Sequence, residues 1–248
     1  MTATAGSSID RRSAPETKAV PVSPFAVPRH AASLIAVDEG GGAPRFLMGC
    51  RNRAHRFMPG VYVFPGGGVE AGDMTLSLTA RLCEAVRLRL SPYAALDERH
   101  LAALPLAAIR ETFEETGFLL GSPAVFDDAP ANWRDFAKIG FRPAYEHLVP
   151  VGRAITPPHY PVRYDARFFA VSRARLLAPQ EKPCDPSDEL DDIGWFSLDE
   201  LGGMPLADIT RRILSDVADR IAAATLFDPL LTMPFYSHED GVSKRNLI

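Results

Sequence analysis

Apolar residues recur at two periods along this chain, and the switches between them divide it into predicted strands and helices. Short β-rich runs at 31–37, 45–51 and 61–64 read as strands, the first two joined by the turn-rich segment Asp38 to Pro44. The period then lengthens. Leu78, Leu82, Val86 and Leu90 stand at helical spacing over 76–90, predicting an amphipathic helix that needs a surface to pack against. After a turn over 91–101, a second helix is predicted over 104–116, with Pro105 in its first turn and Gly117 as its stop. Short helices at 132–139 and 144–148, strands at 149–155, 163–171 and 193–196, and a long helix over 207–226 complete the reading. The stripe of that last helix is Ile209, Ile213, Val217, Ile221 and Ala224.

The helix ending at Gly117 carries the candidate chemistry. Glu111, Glu114 and Glu115 stand at i, i+3 and i+4 and share one face, while Ile109, Phe113, Thr116 and Leu120 fall opposite. Nothing basic is expected on the acidic face, and like charges at i, i+4 cost an isolated helix a few tenths of a kcal/mol. Clustered carboxylate oxygens suit a hard divalent cation such as Mg²⁺, with substrate phosphates completing its shell. A solvated acidic surface gives the same pattern. The run Gly66-Gly67-Gly68 after the third strand allows close backbone approach to a ligand or metal, and equally suits a plain tight turn. Arg45, Arg51, Arg53, His55 and Arg56 concentrate positive charge just before it, and guanidinium forks match phosphate oxygens.

Composition narrows the class. The 248 residues carry a net charge of −4, so no overall positive field recruits nucleic acid or an anionic membrane, and neither is expected as a partner. No apolar run approaches a membrane span, and the N-terminus lacks a secretory apolar core. Cys50, Cys83 and Cys184 show no metal or disulfide spacing and read as reduced thiols, so a cytoplasmic location is expected. Residues 1–28, rich in Ala, Ser, Thr and Pro, are expected to be a flexible tail.

Taken together, these residues resemble the Nudix hydrolase box, G-x5-E-x7-R-E-U-x-E-E-x-G-U, where U is apolar. Gly67 opens the box, Asp73 stands where the family has Glu, and Arg110 to Phe118 supplies the second half with Thr112 at an apolar position. Between Asp73 and Arg110 lie 36 residues where the family has 7. The ungapped register puts Leu82 to Ala85 where the acidic residues belong, so the resemblance requires an insertion at about 74–102. A second resemblance is to coenzyme A and acyl-CoA diphosphatases, whose signature ends in F-P-G-G just before the box. Leu47 to Asn52, Arg56, Gly60 and Phe64 to Gly67 fall at matching spacing, with Gly49 and Asn52 departing from it. The stretch from Thr156 to Phe169 looks like that branch too.

The resemblance implies an α/β fold, a Nudix-type α/β/α sandwich around a mixed sheet with a helical insertion, spanning 29–228 and followed by an extension over 229–248. It also implies Mg²⁺ or Mn²⁺ held by Glu111, Glu114, Glu115 and Gly66, with Glu111 or Glu115 activating the water and Arg110 orienting the carboxylates. Arg51, Arg56 and Gly67 would meet substrate phosphates. Glu181 and Glu189 lie where some members keep a further carboxylate, and read here as exposed acidic loop. The implied reaction is hydrolysis of a diphosphate linkage in a small nucleotide substrate, foremost coenzyme A or acyl-CoA. ADP-ribose, dinucleotides or nucleoside triphosphates are the alternative, as is a catalytically silent binding module. A homodimer is left open.

Overall fold

A computed structural model describes residues 26–52, 59–92, 96–177, 189–239 and 241–248. Its centre is β1 (Arg29–Asp38), whose alternating side chains feed two separate cores. Leu34 and Ala36 point to one face of the sheet, and Ile35 and Val37 to the other. Beside it runs β8 (Tyr164–Ser172), parallel and in register from Arg29↔Tyr164 to Val37↔Ser172, with Phe169 and Val171 on the first face and Phe168 and Ala170 on the second. The antiparallel partner of β8 is β7 (Val149–Ile155), and beyond it lie β10 (Pro234–Glu239), parallel to β7, and β11 (Val242–Leu247) at the edge. The stretch read as a trailing extension thus supplies two strands of the same sheet.

On the other side, β2 (Arg45–Arg51) meets β1 only through Val37↔Phe46 and Asp38↔Arg45, then diverges to pair with β3 (Tyr62–Val63). Its other edge pairs with β9 (Leu190–Ser197), which is longer than the strand predicted over 193–196. The lower edge of β1, left free by this divergence, takes β4 (Gly66–Gly68), which pairs antiparallel with Ala31 to Ser33. The glycine run is therefore a strand and not a loop. A Cβ on Gly66 would lie 2.4 Å from the Ala32 carbonyl oxygen, so only glycine fits this pairing. A separate small ribbon, β5 (Gly121–Pro123) with β6 (Phe141–Pro143), was not visible in the pattern of the sequence.

The helices cover both faces, making the α/β/α sandwich. The helix predicted over 76–90 is two helices, α1 (Ala71–Leu76) and α2 (Glu84–Leu90). Between them the Ser77 and Thr79 hydroxyls donate to the Met74 and Leu76 carbonyls, the local competition that breaks helices at such residues. Leu76, Val86 and Leu90 are buried, but Leu78 falls in the break and is 54% exposed. Next, α3 (Glu98–Thr116) begins six residues earlier than predicted, because the Asp97 side chain caps it by accepting from the His100 N–H at 2.9 Å. Pro105 accordingly lies in the helix interior, where it cannot donate to the Leu101 carbonyl. At the far end Gly117 adopts φ 74° and closes the helix.

Trp133 and Phe136 lie buried on a single turn and on α4 (Arg134–Lys138) respectively, and pack on the α3 side. A single turn at Tyr145–His147 stands for the helix predicted over 144–148. The opposite face is covered by α5 (Leu198–Gly202) and α6 (Asp208–Ala222), with Ile213 and Val217 fully buried. The last helix is shorter than predicted: Ala224 has φ 54° and is exposed, and Leu226 folds back into the core after the helix ends. No helix among the described residues is long and apolar enough to cross a membrane. Residues 1–25 of the expected tail, Arg53, His55, Arg56, Glu181 and Cys184 lie outside the described residues. Cys50 is partly buried and Cys83 exposed.

Candidate active site

The last two turns of α3 run beside β4, and this contact builds the site. Glu115, only 5% exposed, accepts the Gly66 backbone N–H through Oε2 at 2.8 Å. One turn earlier, Glu111 lies against Gly67, where a Cβ would come within 2.3 Å of its Oε1. Glycine at 66 and 67 thus serves two separate needs, strand pairing at the first and space for a carboxylate at the second. Glu189, exposed at the entry to β9, brings a third carboxylate, and one oxygen each from Glu111, Glu115 and Glu189 lie within 4.8 Å of one another. Its backbone carbonyl accepts the Asn52 N–H at 3.0 Å, which ties this acidic residue to the end of β2.

Glu114, the third carboxylate of the helix, faces elsewhere. Its Oε2 accepts from the Arg110 Nη1 at 2.8 Å. The acidic face is therefore not without a base: Arg110, buried to 3% exposure, sits among Asp73, Glu111 and Glu114. Its Nε donates to Asp73 Oδ1 at 3.0 Å and its Nη2 to Asp73 Oδ2 at 3.1 Å and to the Gly68 carbonyl at 2.9 Å. The Glu111 Oε1 lies 3.0 Å from the same Nη2. The Arg–Asp contact rejoins the two halves of the box across the inserted residues. Asp73 is wholly buried, and is further held by the Glu70 N–H and by the Trp133 indole N–H, each at 2.9 Å. Trp133 was not singled out from the sequence.

One guanidinium cannot neutralise this many acids. Burial works against the charge of Arg110, but its hydrogen bonds to Asp73 and the charges of Glu111 and Glu114 outweigh burial and hold it protonated. Burial likewise pushes the Glu111 carboxyl up to about 7 despite Arg110 beside it. Burial and the Glu111 charge drive Glu115 well above the ordinary carboxylate range, opposed by the Gly66 N–H and the Arg51 charge. Glu114 is raised by burial too. Glu111, Glu114, Glu115 and Arg110 are thus each pushed towards their protonated forms, and the set lacks positive charge. Arg51, the last residue of β2, is partly buried and close enough to act on Glu115.

No family model matches the chain. Among solved structures, a NUDIX hydrolase from Alicyclobacillus acidocaldarius superposes with a TM-score of 0.59 at 26% identity, over 81% of this chain and 97% of that one. The protein has the Nudix hydrolase fold. Within that fold, Arg110 clamps the carboxylates of α3 beside the glycine strand. Among curated proteins, the acyl-coenzyme A diphosphatase NUDT19 of Gallus gallus is 37% identical over 92 residues. That match covers 29% of this chain and spans about a quarter of the length of the curated relative, 24%.

Proposed function

We propose that this Nudix-fold protein hydrolyses the diphosphate linkage of a nucleoside diphosphate derivative with the help of Mg²⁺ or Mn²⁺, and that coenzyme A or an acyl-CoA is its substrate. The observation that carries the reading is the convergence of Glu111, Glu115 and Glu189 on one point beside the glycine strand. These are crowded hard oxygen donors, with Glu111 and Glu115 pushed towards protonation for want of positive charge, which fits a hard divalent cation. Such an ion, once bound, neutralises diphosphate charge and makes a bound water more acidic.

The chain's own groups have separable roles in this reading. Glu115, anchored by Gly66, and Glu189 hold the cation together with Glu111, while Gly66 and Gly67 form the wall against which the carboxylates rest. Glu111, less buried than Glu115 and held by Arg110 at one oxygen, is suited to accept the proton of the attacking water. Arg110 fixes Glu111 and Glu114 and is itself consumed by protein contacts, so it orients carboxylates and does not reach substrate. Arg51, with Arg56 from the same stretch, supplies guanidinium donors to the phosphates.

The acyl-CoA assignment is supported by the partial likeness to the chicken acyl-coenzyme A diphosphatase and by the Leu47 to Gly67 signature. Incubation with coenzyme A, acyl-CoA, ADP-ribose and dinucleotides, with Mg²⁺, Mn²⁺ or chelator, tests it by product mass. Release of 3′,5′-ADP with phosphopantetheine or its acyl form, dependent on the cation, is expected. AMP with a ribose phosphate from ADP-ribose, and no turnover of coenzyme A, would replace the substrate assignment. No cation-dependent turnover of any of them would count against the active-site reading.

A further inference from the structure

We infer that Trp133 is a positioning residue of the carboxylate site: its indole N–H fixes Asp73, and through Asp73 the Arg110 fork that sets Glu111 and Glu114. The inference rests on the metal-binding reading of these carboxylates.

An ionised carboxylate offers about four acceptor positions, and wholly buried Asp73 receives four hydrogen bonds. Oδ1 accepts from Arg110 Nε at 3.0 Å and from Trp133 Nε1 at 2.9 Å. Oδ2 accepts from Arg110 Nη2 at 3.1 Å and from the Glu70 N–H at 2.9 Å. Each oxygen takes one arm of the guanidinium and one neutral donor, so the two neutral donors set the plane of the carboxylate. A guanidinium that grips a carboxylate bidentately must share that plane. Its free edge then has one direction, which aims Nη1 at Glu114 and Nη2 at Gly68 and Glu111.

The two neutral braces differ in origin. Glu70 donates from the start of α1, within the box itself, whereas Trp133 comes from the segment that follows α3. Its ring, fully buried, meets Phe136 edge-on at 5.2 Å, and Phe136 meets Phe113 of α3 at 5.3 Å. The indole is therefore seated from the same helix whose carboxylates it helps to aim. Asp73 is one methylene shorter than the Glu that the box pattern calls for, and here the space beside it is occupied by an indole with its N–H turned inward.

Outer groups that orient metal ligands typically carry a tenfold to hundredfold effect on metal affinity. The test is Mn²⁺ binding to the full chain without nucleotide, by calorimetry and electron paramagnetic resonance, in wild type and Trp133→Phe, beside melting in chelator. Phenylalanine keeps the ring against Phe136 and removes only the donor. Mn²⁺ affinity should fall about tenfold or more, and kcat/KM should fall at limiting Mn²⁺ and recover largely at saturation. A lower melting temperature with unchanged Mn²⁺ affinity would make Trp133 structural and overturn the inference.

A second measurement needs no variant at that position. The chain has two tryptophans, so its ¹⁵N-labelled spectrum holds two indole N–H signals, assigned by Trp195→Phe. The Trp133 signal should move saturably with Mg²⁺ in wild type and stay still in Glu115→Gln; a Trp133 signal indifferent to Mg²⁺ would sink the inference. Wild type that binds neither ion defeats the metal reading and this inference with it. Wild type that binds while Trp133→Phe binds equally well defeats only the inference.

Discussion

At the scale of single residues, the site is organised by competition between burial and charge. Glu115 is held by one backbone N–H in a position where its charge is poorly solvated. Glu115→Gln keeps the size and removes the charge. It should lower turnover on the order of 10²-fold or more while leaving the metal-free protein as stable as wild type or more so. Turnover near that of wild type, measured beside melting in chelator, would rule out Glu115 as a ligand. Glu111 adds a pH dependence whose sign follows from its displacement upward from 4.5 to about 7. The folded metal-free protein binds that proton more tightly than the unfolded chain does, so its contribution is complete below about pH 4.5 and disappears as pH rises through about 7. Glu114 and Glu115 shift in the same direction. In chelator, stability should therefore fall from pH 5 to pH 8, by roughly 3 kcal/mol from Glu111 at most, and Mg²⁺ should restore it at the alkaline end. A flat metal-free profile across that range would contradict the buried-acid description.

The legibility of these residues depended on distance along the chain. Glu111, Glu114 and Glu115 were readable as one face because helical spacing is local. That Glu114 would turn to Arg110 while Glu189 joined Glu111 and Glu115 was not readable, since β9 approaches only through its pairing with β2. Trp133 carried no signal either: an indole at the start of a short helix looks like packing, and its donor role exists only because the fold brings Asp73 to it.

Elements were legible where one rule governed and obscure where two competed. The β1 and β8 strands follow their alternation, and α6 follows its stripe as far as Val217 and Ile221. The glycine run was unreadable as a strand because glycine has low strand propensity, and its pairing is fixed by a close approach to Ala32 that no propensity expresses. The α1–α2 region has a helical period that its Ser77 and Thr79 hydroxyls interrupt. Leu78 falls in that break and Leu90 does not, so two positions of one helical period differ in burial. Leu90→Ala, at a site 1% exposed, should cost roughly 2–5 kcal/mol, whereas Leu78→Ala should change stability by no more than about 0.5 kcal/mol. Equal effects in denaturant titration would mean that the two positions share an environment.

Over the whole molecule, two large cores lie on either side of one sheet, and the candidate site occupies the rim where β4, β9 and α3 meet. The C-terminal strands were hidden because β11 is exposed along its length and shows no apolar period. They are nonetheless tied to the domain. The Tyr236 hydroxyl donates to Asp216 of α6 at 2.6 Å, and Arg245 reaches the other oxygen of Asp216 at 2.7 Å. Tyr236→Phe should therefore cost on the order of 1 kcal/mol with kcat unchanged. A loss of turnover without a loss of stability would place this edge of the sheet closer to the chemistry than its position suggests.

Two halves of a site that lie 36 residues apart in the chain are joined by side chains and not by the path between them. Lengthening a loop from 7 to 36 residues costs only about 1–1.5 kcal/mol of closure entropy, less than a buried bidentate ion pair is able to resist when one partner is removed. The polypeptide between the halves is therefore severable in principle. A protease site engineered between α2 and α3 should give a nicked protein whose fragments stay together and keep turning over, and fragments that separate on a sizing column would show that continuity of the backbone is required after all.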